Sequence, residues 1–210
     1  MIIILLLIGL ILLFAINRYI SEFYSESSTS FQESYLHKYL KEMGYPDSTD
    51  RQIDHENGLS YINDVPYRII FPPSLINTII NIPKIKTVDY CFIGEINEDR
   101  DWVNNFKTKS SIIRSTDKSS YDRNNYDISY YKDLCKSKFT LCPIGNCPWS
   151  YRFFEAIMCF SIPIMEKNTK DIFCKDYFYY ELGDDYAYSF KDALENFCIF
   201  LNTNGKNISI

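Results

Sequence analysis

The chain has 210 residues, with 22 Lys and Arg against 27 Asp and Glu and a formal charge of −5. That length has room for one ordinary domain, or one and a half small ones. The acidic balance argues against a general nucleic-acid binder, which carries a basic face.

Residues 1–16, MIIILLLIGLILLFAI, form an uninterrupted apolar run. Extended to Ile20, the run approaches the roughly 20 residues that cross a bilayer, and Arg18 and Tyr19 suit the interface. A cleaved signal peptide is the rival reading. The run lacks a basic flank ahead of it and a small-x-small site behind it, so a single-pass transmembrane anchor is expected over 1–20. Residues 21–60, rich in Ser, Glu, Asp and Tyr, read as a flexible stem. Within it, FQESYLHKYLKEMGY suits a short amphipathic helix stopped by Gly44 and Pro46. Residues 61–86 carry YRIIF and LINTIINI between Pro72, Pro73 and Pro83. They are either the remnant of a first domain or a cover for one edge of a sheet.

From Thr87 the patterns of strand and helix alternate. TVDYCFIG is a strand closing at Gly94, EINEDRDWVNNFKTK a loop and helix, and SSIIRST a second strand. ISYYKDLCKSK is a helix leading into the strand FTLC, which the breakers Pro143 and Gly145 bound. Residues 149–160 are apolar almost all round except for Arg152 and Glu155, and SIPIM follows as another strand. YAYSF suits a last short strand. KDALENFCIFLN suits a helix ending near Gly205, with Ala193, Leu194, Phe197, Cys198 and Leu201 on one stripe. This order predicts an α/β domain over 61–210, a Rossmann-like parallel sheet with helices on both faces.

In such a sheet, ligands gather beyond the carboxyl ends of the strands. The loop 143–147 sits there, followed by a helix N-terminus that attracts phosphate. Arg152 and Glu155 lie three apart and share a helix face. A guanidinium suits a diphosphate and a carboxylate suits the two hydroxyls of a ribose. The bland alternative is an ordinary surface ion pair. Against it stands the apolar surround, because charges on a buried helix need a partner or a cleft. Of the seven cysteines, most sit in apolar runs as small core side chains. Cys142 and Cys147 could close a disulfide across the loop. With only His37 and His55, and no paired C-x-x-C, zinc is not expected. The acidic groups Glu98-Asp99 and Asp184-Asp185 suit turns or caps better than a metal.

The segments SKFTLCPIG, WSYRFFEA and IPI at this spacing resemble the donor-binding half of exostosin-like glycosyltransferases, including the ribitol-phosphate xylosyltransferase branch. The likeness covers residues 87–165. It rests on a Cys-Pro-x-Gly turn, an Arg-x-x-Glu-Ala helix and a closing Ile-Pro strand. It implies half of a GT-B fold and a nucleotide-sugar substrate, with no permanently bound cofactor and no metal. By that resemblance Arg152 faces the donor's diphosphate and Glu155 its ribose, with Pro143, Ile144 and Gly145 along the same pocket. Gly94 and Arg100 stand where relatives place a Gly and an Arg, although Arg100 also reads as a solvated arginine among Glu98 and Asp99. The implied function is transfer of a sugar to a glycan or glycoprotein hydroxyl, from the lumenal side of an endoplasmic reticulum or Golgi membrane. Arg18, just after the apolar run, leans toward the opposite orientation. A complete GT-B enzyme has two such domains. The alternative is therefore a non-catalytic, membrane-tethered nucleotide-binding or scaffold protein, pairing with a full-length glycosyltransferase.

Overall fold

The computed structural model of the chain describes residues 35–54, 57–116, 126–144, 150–167 and 174–207. The apolar run 1–20, His55, Gly145 and Cys147 lie outside them. Among the described residues, no helix is long and apolar enough to cross a membrane.

Helical residues 35–42 (α1) are followed by an antiparallel meander of β1 (Arg51–Asp54), β2 (Leu59–Ile62) and β3 (Val65–Arg68), and then by α2 (Pro73–Ile80). The amphipathic helix predicted here is present, and it leaves through Gly44 at φ +77°, a conformation glycine adopts without a Cβ clash. Its apolar face is packed rather than solvated. Leu36, Tyr39 and Leu40 lie against Ile62 and Ile70, while His37 is exposed. Glu42 accepts the Ser74 N–H at 2.8 Å in the first turn of α2, a cap that Pro72 cannot supply. Residues 51–54 and 59–60, expected to be stem, are strand. The pairing of β2 with β3 is set by the two-residue turn Asn63-Asp64, at φ 49° and 62°, the left-handed pair a tight hairpin needs. Within the 61–86 region, α2 packs on a later helix, Tyr151–Met158.

The second half carries one parallel sheet: β4 (Val88–Gly94), β5 (Ser111–Ser115), β6 (Ser137–Leu141), β7 (Ile162–Met165) and β8 (Tyr180–Glu181). Their order is β5-β4-β6-β7-β8, parallel throughout. A 3₁₀ helix η1 (Glu98–Phe106), α3 (Ile128–Lys136) and α4 (Tyr151–Met158) stand between strands, and α5 (Phe190–Thr203) follows the sheet. This is the Rossmann-like sheet predicted from the alternation of elements.

Successive side chains divide between its two faces. Cys91, Ile93 and Met165 join the cluster built with α2, α3 and α4. Phe92, Phe139, Leu141, Ile162 and Ile164 join Val103 of η1 and the tyrosines Tyr186 and Tyr188. Both faces are covered, which is why these strands read as continuous apolar runs.

Two expectations shift. YAYSF is not a strand; Tyr180–Glu181 pairs with β7 in its place, and Tyr186 and Tyr188 pack their rings on Phe139 instead. On α5, Leu194 and Leu201 are 41% and 42% exposed, and Cys198 is exposed as well; the buried stripe is Ala193, Asn196, Phe197 and Phe200. Asn196 holds its buried place because its side chain accepts the Phe178 N–H and donates to the Phe178 carbonyl, both at 2.7 Å.

Candidate functional site

Counted in chain order, the five parallel strands lie 2-1-3-4-5. The order reverses between β4 and β6, the switch point beyond which doubly wound sheets bind ligands. Gly94 ends β4 at this point, and Cys142, the buried Pro143 and Ile144 follow β6. Arg152, in the first turn of α4, reaches across to β4. Its Nη2 donates to the Ile93 carbonyl at 3.0 Å, and its guanidinium carbon lies 4.6 Å from the centre of the Phe92 ring, a cation–π contact that arginine favours. Gly94 makes room for it, since a Cβ there would stand 2.5 Å from Arg152 Nη2.

Arg100 does more than stand among its acidic neighbours. Its Nε donates to the Ile144 carbonyl and its Nη1 to the Glu95 carbonyl, each at 3.3 Å, joining the chain ends after β4 and β6. Glu166, the first residue after β7, holds the other side. It accepts the Ile144 N–H at 3.0 Å and the Trp102 indole N–H at 2.8 Å.

Glu155 lies one helical turn beyond Arg152 and points inward, 6% exposed. Its Oε1 accepts from the Tyr35 hydroxyl at 3.0 Å and the Tyr131 hydroxyl at 3.3 Å; its Oε2 accepts from Tyr130 at 2.7 Å. A buried carboxylate needs such donors. Burial first, and then the Glu155 carboxylate, push the Tyr35 and Tyr130 phenols well above their ordinary range. Tyr131 is raised by burial, then by Tyr35 and Glu155. Tyr130 also belongs to the wall of a hollow of about 300 Å³, at the carboxyl ends of β4 and β5 and the start of α3. Ile93, Arg114, Thr116, Asp127 and Ser129 share that wall. Asp127 caps α3 by accepting the Ser129 N–H at 2.9 Å, and the buried Thr116 hydroxyl has no hydrogen-bond partner among the described residues.

Residues 100–201 match the family described as the RXYLT1 C-terminal domain. The "Probable glucuronosyltransferase GUT1" of Oryza sativa subsp. japonica is 29% identical over 99 residues, which are 46% of this chain and 18% of that protein. The "Probable beta-1,4-xylosyltransferase IRX10" of Arabidopsis thaliana is 30% identical over 90 residues, 43% of this chain and 16% of that one. The resemblance is to exostosin-like glycosyltransferases. The chain spans less than a fifth of the length of these curated relatives.

The exostosin-like match takes in Arg100, Pro143, Ile144, Arg152 and Glu155, with Gly94 just ahead of it. The structure brings Gly94, Arg100, Ile144 and Arg152 to one rim and sets Glu155 beneath it, with Tyr130 between the carboxylate and the hollow. Gly145 lies outside the described residues. Cys142 is a buried free thiol, pushed up by burial, and its possible partner Cys147 also lies outside. Sequence reasoning missed Glu166, although a polar residue directly after an apolar strand is a rim position in such sheets. It missed Tyr35, Tyr130 and Tyr131 as well, three of 18 tyrosines with no distinguishing pattern.

Proposed function

We propose that this chain is the donor-binding part of a glycosyltransferase, holding a nucleotide sugar at the switch point for transfer to a hydroxyl of a glycan or glycoprotein. One observation carries the reading: Arg152 is lodged at the carboxyl end of β4, in a space that only a glycine at position 94 leaves open. The relatives' names, a glucuronosyltransferase and a xylosyltransferase, point to the same reaction class. In sugar transfer, negative charge builds on the departing diphosphate. A fixed guanidinium and the N-terminal end of α4 lower that barrier without reorganising. Among the described residues Ser150 makes no side-chain cap on α4, and an anion would suit that helix end. Arg100 and Glu166 hold Ile144 from both sides and so fix the rim against which the donor lies. The apolar run 1–20 is proposed to tether this unit to an endoplasmic reticulum or Golgi membrane, facing the lumen, with a full-length glycosyltransferase as a possible companion chain.

Calorimetric titration of the full chain with UDP, GDP and their sugar nucleotides tests this. The full chain is needed because Tyr35 of α1 bonds Glu155. One nucleotide is expected to bind, and Arg152→Ala to weaken it about a hundredfold with the fold intact. Hydrolysis or transfer of the sugar would establish turnover. Failure of every nucleotide to bind would sink the reading.

A further inference from the structure

The three phenols around Glu155 are not equivalent. Tyr35 and Tyr131 are each 2% exposed; they share Oε1 and lie 3.0 Å apart, hydroxyl to hydroxyl. Tyr35 is further held by Phe71 and Tyr151, ring centres 5.0 and 5.4 Å away. Neither can leave without repacking the core. Among the described residues, Tyr130 alone donates to Oε2, at 2.7 Å, and it is part of the hollow's wall. Of the three, Tyr130 lines this hollow. Thr116 lines the hollow too, and its buried hydroxyl has no hydrogen-bond partner among the described residues.

We infer that Tyr130 is a displaceable donor: its hydroxyl keeps Glu155 Oε2 satisfied and yields that oxygen to a hydroxyl of a ribose entering the hollow. The inference rests on the donor-binding reading and adds a competitor to it. Swapping one hydroxyl donor for another on the same carboxylate is close to neutral. The phenol therefore protects a buried charge at the expense of ligand affinity, and the carboxylate rewards only ligands that bring a replacement hydroxyl. Tyr35 and Tyr131, on Oε1, hold the carboxylate in place while this exchange occurs. Tyr130 is in these terms a positioning residue that sets affinity for the ribose.

The test is Tyr130→Phe in the full chain, titrated with UDP and GDP and with their 2′,3′-dideoxy counterparts. The nucleotide that binds the unaltered chain should bind the variant about tenfold tighter, because no phenol need be displaced. Within the variant, the dideoxy counterpart should bind about tenfold more weakly than the ribonucleotide. Loss of a merely structural tyrosine would not raise affinity, and Tyr131→Phe should not do so. If the Phe variant does not fold, Tyr130→Leu fills the wall without a hydroxyl and should shift affinity in the same direction. A folded variant whose ribonucleotide affinity is unchanged or lower overturns the inference and leaves the donor reading standing. An unaltered chain that binds none of these nucleotides overturns both.

Discussion

The two ends of the parallel sheet each hold a buried or half-buried cation and use it differently. At the amino end, Lys86 Nζ donates to the carbonyls of Cys135 at 3.0 Å and Cys159 at 2.9 Å, at the C-terminal ends of α3 and α4. Lys84 does the same for α2, donating to the carbonyls of Ile79, Ile80 and Ile82. Such carbonyls have no partner within their helices and carry the negative end of the helix dipole. Those ammonium groups are engaged in fastening helices to the sheet. At the carboxyl end, Arg152 lies over a ring beside a glycine, where the strand order reverses. A buried charge does not by itself mark a site. What surrounds it does: helix carbonyls at one end, the strand-end rim proposed to meet the donor at the other.

The largest effect expected of a change that keeps Arg152 itself separates the two ends through one methyl group. Gly94→Ala would place a Cβ 2.5 Å from Arg152 Nη2 and 3.3 Å from Phe92 Cζ. The far end of an arginine can swing away, so the fold should tolerate the change. The guanidinium, however, would leave its seat on the Ile93 carbonyl. Nucleotide affinity should fall about thirtyfold while the melting temperature moves little, as calorimetry and a thermal melt would read. Unchanged affinity would place the donor away from Gly94.

The converse change at the amino end should touch stability alone. Lys86→Met strips the Cys135 and Cys159 carbonyls of a donor, and it also relieves the burial of an ammonium. The two effects oppose each other, and loss of the partner should win, by about 2 kcal/mol in denaturant unfolding. Nucleotide affinity should not change. A loss of affinity would join the two ends that the geometry separates.

The contrast was only half legible in the sequence. The parallel sheet and the rim residues showed themselves because buried strands read as apolar runs and because Gly94, Pro143 and Arg152 are the kinds of residue that end or interrupt them. Lys86 carried no such signal. Its partners are backbone carbonyls 49 and 73 residues away, and carbonyls have no sequence identity. The same blindness hid the phenols of Glu155, which come from 24, 25 and 120 residues away. It also hid the turn of α5: Asn196 is buried by bonds to the Phe178 backbone, and a hydrophobicity pattern counts an asparagine as solvent-facing. Residues 51–60 read as stem because their composition is polar, yet a hairpin needs only alternation and a tolerant turn. Contacts close in sequence were readable; those made through backbone at long range were not.

The smallest effect is the most direct measure of the contrast. Burial pushes Lys86 from its ordinary 10.5 down to about 8, the nearby thiols opposing only in part. Between those two values the unfolded chain binds more protons than the folded one, so stability rises with pH across that window. Relative to Lys86→Met, the unaltered chain should gain about 1 kcal/mol per pH unit between pH 8 and 10 and should show no slope in the difference below pH 7. Tyr35, Tyr130 and Tyr131 act with the opposite sign. Their phenols are raised, so the stability they contribute is complete below pH 10 and is lost as pH climbs through their folded values. That alkaline decline is common to both chains and cancels in the difference. If the difference stayed flat from pH 8 to 10, the Lys86 charge would be solvated, and the amino end would no longer be the place where a cation is consumed by the fold.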